Sequence, residues 1–349
     1  MKKLFLLLSF MAGLVCFQAC STDVMLYADY KEIPVIYALI DASQDTNFVR
    51  INRAFSSSNE SPIDATQVAL IEDSCNYPGK LDAQIIEYKG SAFGSNFTPT
   101  GRVIQLDTMT ILDKEPGVFY SPRQKVYYTD EVFNSNNASE KYRYKLVVQI
   151  GKETVTSETG IVGGDDFEIL TTSIGSTNVP SNVFKKIKFR LADNALFYEV
   201  KMVFNYEESI NGGPMVKRQI VQSFGAKSVD ELTIENNTTY VEYSMNALFK
   251  NLTDAIAGDT VINPDHPNII RKCDNKPMEI FISAGGDELY NYIQVNSVTS
   301  YSQTVPDYTN VSGGYGVFSS RVNLSKVVSL DAATMRELYG STAWGFVTQ

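Results

Sequence analysis

Thiols and imidazoles are few in this sequence: Cys16, Cys20, Cys75 and Cys273, and a single histidine, His266. A Ser-His-Asp or Cys-His pair would have to use His266. It sits in the proline-framed polar loop Asn263-Pro264-Asp265-His266-Pro267-Asn268, and a lone histidine in a turn is far more often a surface residue than a base. Paired carboxylates hydrolyse glycosides without histidine, and Asp165-Asp166 and Asp287-Glu288 are the candidates. Neighbours on a strand point to opposite faces, so neither pair is a natural dyad. Asp287 stands where a carboxylate caps the free amides of a helix start. Neither Gly163-Gly164-Asp165-Asp166 nor Gly285-Gly286-Asp287-Glu288 has the alternating acids of an EF-hand, though a calcium ion in a β-domain loop stays open. Gly313-Gly314-Tyr315-Gly316 lacks the Gly-Lys-Ser/Thr ending of a phosphate loop and precedes a strand, which makes it a turn. The expectation is no catalytic set, no metal and no cofactor.

The other chemistry-bearing position lies near the start. Lys2 and Lys3 precede an apolar run from Leu4 to Phe17, broken only by Ser9 and Gly13, and Gln18, Ala19 and Cys20 follow. That is the pattern of a secretory signal over residues 1–19, too short to span a bilayer as a helix. A small residue before a cysteine just past the apolar run resembles the lipobox of bacterial lipoproteins, with Gln18 where the commonest lipobox has a small residue. The resemblance implies a thioether-linked diacylglycerol on Cys20 and an acylated amine. Several acyl chains on one residue anchor stably, since each buried methylene adds roughly 0.8 kcal/mol. Residues 20–31 then form a lipidated tether.

Removing residues 1–19 leaves 330 of 349 residues, enough for two domains or one large β-rich domain. The removed stretch holds Lys2 and Lys3 and no acid, so the net charge moves from −10 to −12. A chain this acidic repels nucleic acid and anionic lipid alike, and leaves anchoring to Cys20. Cys16 leaves with the signal, so Cys75 and Cys273 are either a disulfide joining the two halves, which export permits, or two separate buried thiols.

Hydrophobic periodicity places the supporting elements. Ile33–Ile40, Val49–Phe55, Leu81–Tyr88 and Lys125–Val132 are strand-like, with Arg53 interrupting the second, and residues 64–73 suit a short helix. The clearest hairpin runs from Tyr142 to Ile161. Tyr142, Tyr144, Leu146, Val148 and Ile150 share one face, and Gly151-Lys152 has the Gly-first form of a type II′ turn. Such hairpins predict an antiparallel sandwich resembling immunoglobulin or fibronectin type III domains over residues 32–163, with a boundary near Gly163-Gly164-Asp165-Asp166. Residues 170–349 read as a β-rich α+β domain. Its strands lie at Ile187–Leu191, Tyr198–Tyr206, Met215–Phe224, Met278–Ile282 and Val317–Val328, and its helices begin near Ser244, Asp287 and Asp331. The fold class is therefore mainly β. Aromatic residues are dominated by 20 tyrosines and 19 phenylalanines against the lone Trp344, which argues against a large glycan-stacking face.

Five segments together carry a family resemblance: PVIYALIDASQDTNFVRINRAF, DSCNYPG, EPGVFYSP, YRYKLVVQIG with SETGIVGG, and PDYTNVSGGYGVFSSR. They resemble Bacteroidetes surface lipoproteins of uncharacterised function, and the chain is similar to domain-of-unknown-function lipoproteins encoded beside TonB-dependent receptors. That family has no established catalytic residues, so only the lipid attachment at Cys20 carries over, while Cys75 stands where an apolar residue is expected. The resemblance implies an exported protein on the outer membrane at the cell surface. The expected function is a binding or accessory module, not an enzyme, held to the membrane by the Cys20 lipid and associated with a TonB-dependent receptor. Its small-molecule or glycan ligand is unnamed. Two alternatives stay open: a structural or adhesive surface subunit, and a carboxylate-based hydrolase.

Overall fold

The computed structural model describes residues 33–54, 65–117, 119–121, 123–175, 184–258, 269–297, 308–340 and 344–347. The chain is mainly β, and its first layers form a two-sheet sandwich. The hairpin β1 (Pro34–Ile40) and β2 (Asn47–Arg53) lies in one sheet, and the next, β3 (Asp82–Ser91) and β4 (Phe97–Gln105), in the other. β5 (Asp107–Ile111) and β6 (Gln124–Thr129) return to the first sheet, and β7 (Glu140–Ile150) and β8 (Glu153–Gly160) to the second. The sheet orders are β1-β2-β6-β5 and β4-β3-β7-β8, with every one of these pairings antiparallel. This is the ABED and C′CFG arrangement of an immunoglobulin-type sandwich. Period-2 alternation fills its core. Ile36, Ala38 and Ile40 from β1 and Val49 and Ile51 from β2 meet Tyr144, Leu146 and Val148 from β7. The Tyr144 hydroxyl donates to the backbone oxygen of Asn134, 3.0 Å away, tying the start of β7 to the loop before it much as a tyrosine corner does. Gly151 at the β7–β8 turn has φ +59°, as a Gly-first turn requires.

Gly163 and Gly164 lead into a second unit. It comprises β9 (Ser173–Ile174), β10 (Lys185–Arg190), β11 (Phe197–Ile210), β12 (Val216–Ser228), β13 (Thr238–Tyr243), β14 (Ile269–Lys272), β15 (Met278–Gly285) and β16 (Tyr315–Leu330). The sheet β12-β11-β15-β16 presents Tyr198, Val200, Met202 and Phe204 of β11 and Ile280 and Ile282 of β15 to a core. That core is closed by the β10–β13 hairpin, through Phe189 and Val241, and by helices α3 (Met245–Gly258) and α5 (Ala332–Gly340), through Leu248, Leu252 and Leu338. Asp331 accepts the amide of Thr334 at 2.8 Å and so caps α5. Helix α4 (Asp287–Ser297) lies against β16 instead.

The division of the chain at residues 163 and 170 does not separate the sheets, because β16 serves both units. Its first six residues pair in parallel with β1, Val35 opposite Tyr315 through Ile40 opposite Ser320. Its next eight pair antiparallel with β15, Arg321 opposite Gly285 through Val328 opposite Met278. Sixteen extended residues reach about 50 Å, long enough to edge one sheet and continue inside the next. At the hand-over Ser319 and Ser320 are fully buried. Ser320 donates to the Ile40 carbonyl and accepts from the Val162 amide, and Ser319 accepts from the Leu289 amide. Side-chain hydroxyls thus bond the backbone groups buried at this junction.

The helix expected over residues 64–73 is broken into α1 (Ala65–Ala69) and α2 (Glu72–Cys75). β4 and β5 had no periodic signal, because they edge their sheets and bury almost nothing; in β4 only Ile104 is buried. Cys75 and Cys273 are free thiols, the first beside the sandwich and the second in the core of the other unit, so no disulfide joins the halves.

Candidate functional site

The outer face of the β1-β2-β6 sheet holds the candidate site. Because Ile36, Val49 and Ile51 point inward, Val35 and Tyr37 on β1, Arg50 and Asn52 on β2 and Gln124 on β6 point outward. The register sets Tyr37 directly across from Arg50 and Val35 across from Asn52, the closest side-chain neighbours a sheet offers. This face would be open to water, but two features build walls on it. α2 packs beside β2, and Lys114, Phe119, Tyr120 and Arg123 line the other side, pinned where the Tyr120 amide donates to the Ala69 carbonyl at 2.8 Å. The result is a cleft of about 450 Å³.

Asn52 organises the floor. Its amide nitrogen donates to the Cys75 carbonyl at 2.9 Å and to Asn76 Oδ1 at 2.8 Å, which ties α2 to the sheet. Its oxygen accepts from Arg50 Nε at 2.5 Å and so aims the guanidinium. Arg53 donates to the Asp73 carbonyl and lies over the Tyr77 ring, 5.8 Å from its centroid. Lys114 donates one bond, to the Tyr120 carbonyl. Arg123 pairs with Glu72 at 2.6 Å. The Tyr37 wall is held by Tyr292 of α4, edge-on at 5.9 Å between centroids with the hydroxyls 3.4 Å apart.

The electrostatics of this cleft oppose those of the whole chain. Its lining includes Arg50, Arg53, Lys114 and Arg123 and, among the described residues, no aspartate or glutamate, in a protein of net charge −10. Convergence shows in the Cys75 thiol. Burial pushes its pKa up, and the nearest opposing influences are Lys114, Arg50 and Arg53. The net shift is upward, so Cys75 stays a thiol at neutral pH and is a poor nucleophile. A neighbouring trough of about 430 Å³ shares Tyr37 and Arg50 and adds Arg321 and Asn323.

Other candidates fare differently. Cys20, the signal over residues 1–19, the tether and His266 lie outside the described residues. Asp165 and Asp166 sit in a turn that lines a separate cleft. Asp287 accepts the Glu288 amide at 3.0 Å at the start of α4. Glu288 is buried, holding Thr159 of β8 at 2.9 Å and Ser319 of β16 at 3.1 Å. Burial, with Asp287 beside it, pushes its carboxyl up to about 7. Trp344 is structural, stacked on Phe249 at 4.9 Å and donating to Thr253. Among the described residues no cluster of three or more His, Cys, Asp or Glu could hold a metal ion.

Sequence reasoning placed Arg50 and Asn52 on the polar side of β2 and went no further. Alternation showed that they face outward. Nothing local could show that Lys114 and Arg123, some seventy residues later, come to stand beside them. Comparison with protein-family models gives no match, and comparison with curated proteins gives none either.

Proposed function

We propose that this protein is a lipid-anchored binding module of the bacterial outer membrane, tethered through Cys20 at the cell surface and presenting the outer face of its sandwich to a ligand or partner. The observation that carries this reading is the cleft on that face, whose described lining holds four cations and no carboxylate in an acidic chain. Small-molecule sites are concave, with aromatic walls and a few convergent polar groups, and Tyr37, Phe119 and Tyr120 beside Arg50 and Lys114 match that description. The Lys2–Cys20 pattern supports the anchor, and the resemblance to lipoproteins encoded beside TonB-dependent receptors supports an accessory role. The reading assigns no reaction to the protein.

The test is affinity purification of the lipidated protein from membranes, with mass spectrometry of what accompanies it. A stoichiometric TonB-dependent receptor makes the protein a transport accessory. Protease-accessible protein on intact cells without a partner makes it a stand-alone binder or adhesin. Protein that is inaccessible on intact cells and has no partner above background overturns the reading. Cys20→Ala is expected to move the protein from the membrane to the soluble fraction, and retention in the membrane would refute the anchor.

A further inference from the structure

We infer that the cleft over β1 and β2 binds a small organic oxyanion, with Arg50 and Lys114 clamping its carboxylate or phosphate group and the walls at Tyr37 and Phe119 covering its organic body. The inference rests on the binding-module reading and gives that module a ligand class.

The argument begins with what the cations lack. A guanidinium carries five N–H donors and an ammonium three. Arg50 uses one, to Asn52, and Lys114 one, to the Tyr120 carbonyl. Neither has a carboxylate within ion-pair distance among the described residues. Some cations elsewhere pair with acids: Lys80 with Asp107, Lys89 with Glu140 and Lys145 with Glu158, each at 2.9 Å. In a chain with 40 acidic residues against 30 basic ones, Arg50 and Lys114 share one concavity whose described lining holds no carboxylate. Gathering them there also raises their mutual repulsion, which an anion relieves.

Geometry narrows the ligand. Arg50 is aimed from Nε by Asn52, itself fixed by bonds to Cys75 at the end of α2 and to Asn76 just after it, so its terminal nitrogens are presented with little conformational freedom left to lose. A planar fork of that kind matches carboxylate and phosphate oxygens. A cleft of about 450 Å³ is sized for a small molecule. Tyr37 lies directly across the strand pair from Arg50, so a ligand whose acid group sits on Arg50 places its next atoms against the ring. An inorganic ion would leave that aromatic wall unused, which makes an organic anion the better fit.

The experiment is calorimetric titration of the full mature chain in detergent with benzoate, phenyl phosphate, inorganic phosphate and benzyl alcohol. The expected result is saturable binding of benzoate or phenyl phosphate, roughly tenfold or more tighter than inorganic phosphate, weakening with added salt, and none for benzyl alcohol. Whichever of the two binds more tightly identifies the oxyanion. Arg50→Met and Lys114→Met are each expected to weaken that binding by roughly ten- to a hundredfold, the worth of a charge-assisted bond. Lys114 is in a loop, so its variant stands even if Arg50→Met fails to fold. Three results overturn the inference: no probe binding in the millimolar range, inorganic phosphate binding as tightly as phenyl phosphate, or both variants binding like the parent. A receptor captured from membranes alongside silent titrations would remove the ligand class and leave the binding-module reading standing.

Discussion

Two buried acids carry opposite lessons at the scale of single residues. Glu288 joins three elements, bonding Thr159 and Ser319 from the start of α4. Asp287 is its acidic neighbour, and Tyr308 stands near both carboxylates. Its folded pKa is raised to about 7 from an ordinary 4.5. Between those values the folded state keeps a proton that the unfolded state has lost, so stability falls as pH rises through this window. The stabilisation is complete below about pH 4.5 and gone above about 7, and the loss is on the order of 3 kcal/mol. Glu288→Gln, always neutral, should remove most of this slope; urea melts at pH 5 and pH 8 would show it, and an unchanged slope would refute the assignment. Glu208 is held by an ion pair instead. Arg271 grips it at 2.7 Å with both side chains 2% exposed, and Arg271 also donates to the Trp344 carbonyl. Arg218 adds a 3.4 Å contact to the other oxygen, which has no hydrogen bond of its own. Breaking a buried pair strands a charge, so Arg271→Met should cost about 3–5 kcal/mol, read from denaturant midpoints. The double change to apolar residues should recover most of that.

At the scale of elements, β16 decides the architecture. Its parallel edge against β1 depends on Gly316, whose φ is +112° and where an added Cβ would meet the Ile36 carbonyl oxygen at 1.9 Å. No side chain fits there without moving β1. Gly316→Ala should therefore destabilise the sandwich by more than the ~1 kcal/mol of an ordinary glycine exchange, whereas Gly117→Ala, with open space around it, should be nearly silent. Thermal melts of the two variants would distinguish them. The segment before β16 is tied in as well. Asn310 brackets Phe318 through both backbone groups, at 2.7 and 3.0 Å, and Ser157 of β8 donates to the Asn310 carbonyl at 2.8 Å. The sandwich is thus gripped on an edge of each sheet by chain from the far end of the sequence. Helix α4 adds the Tyr292 contact to Tyr37, which connects the cleft wall to the second unit.

For the whole molecule, this sharing predicts one cooperative unfolding transition rather than two. Calorimetry should give a single peak, and residues 32–163 expressed alone should not show a native-like melt, since they lack the β16 edge. Two separated peaks, or a cooperative short chain, would refute the coupling. Much of this architecture was legible in the sequence: alternation in Tyr142–Ile161 and Tyr198–Tyr206 gave the strands, the turn at Gly151 gave the hairpin, and Ser244, Asp287 and Asp331 gave three helix starts, because these are local signals set by side-chain period and capping. The edge strands β4 and β5 were not legible, since a strand that buries little needs no pattern. Nor could the sequence show that residues 315–320 belong beside residues 35–40, because a parallel pairing across some 280 positions leaves no local mark. The same holds for the cleft. By itself the sequence determined a mainly β chain with an excess of acidic residues and Arg50 facing outward. Only the tertiary structure brought Lys114 and Arg123 to Arg50, because what gathers them is the packing of a loop against α1 and a sheet, not their spacing along the chain.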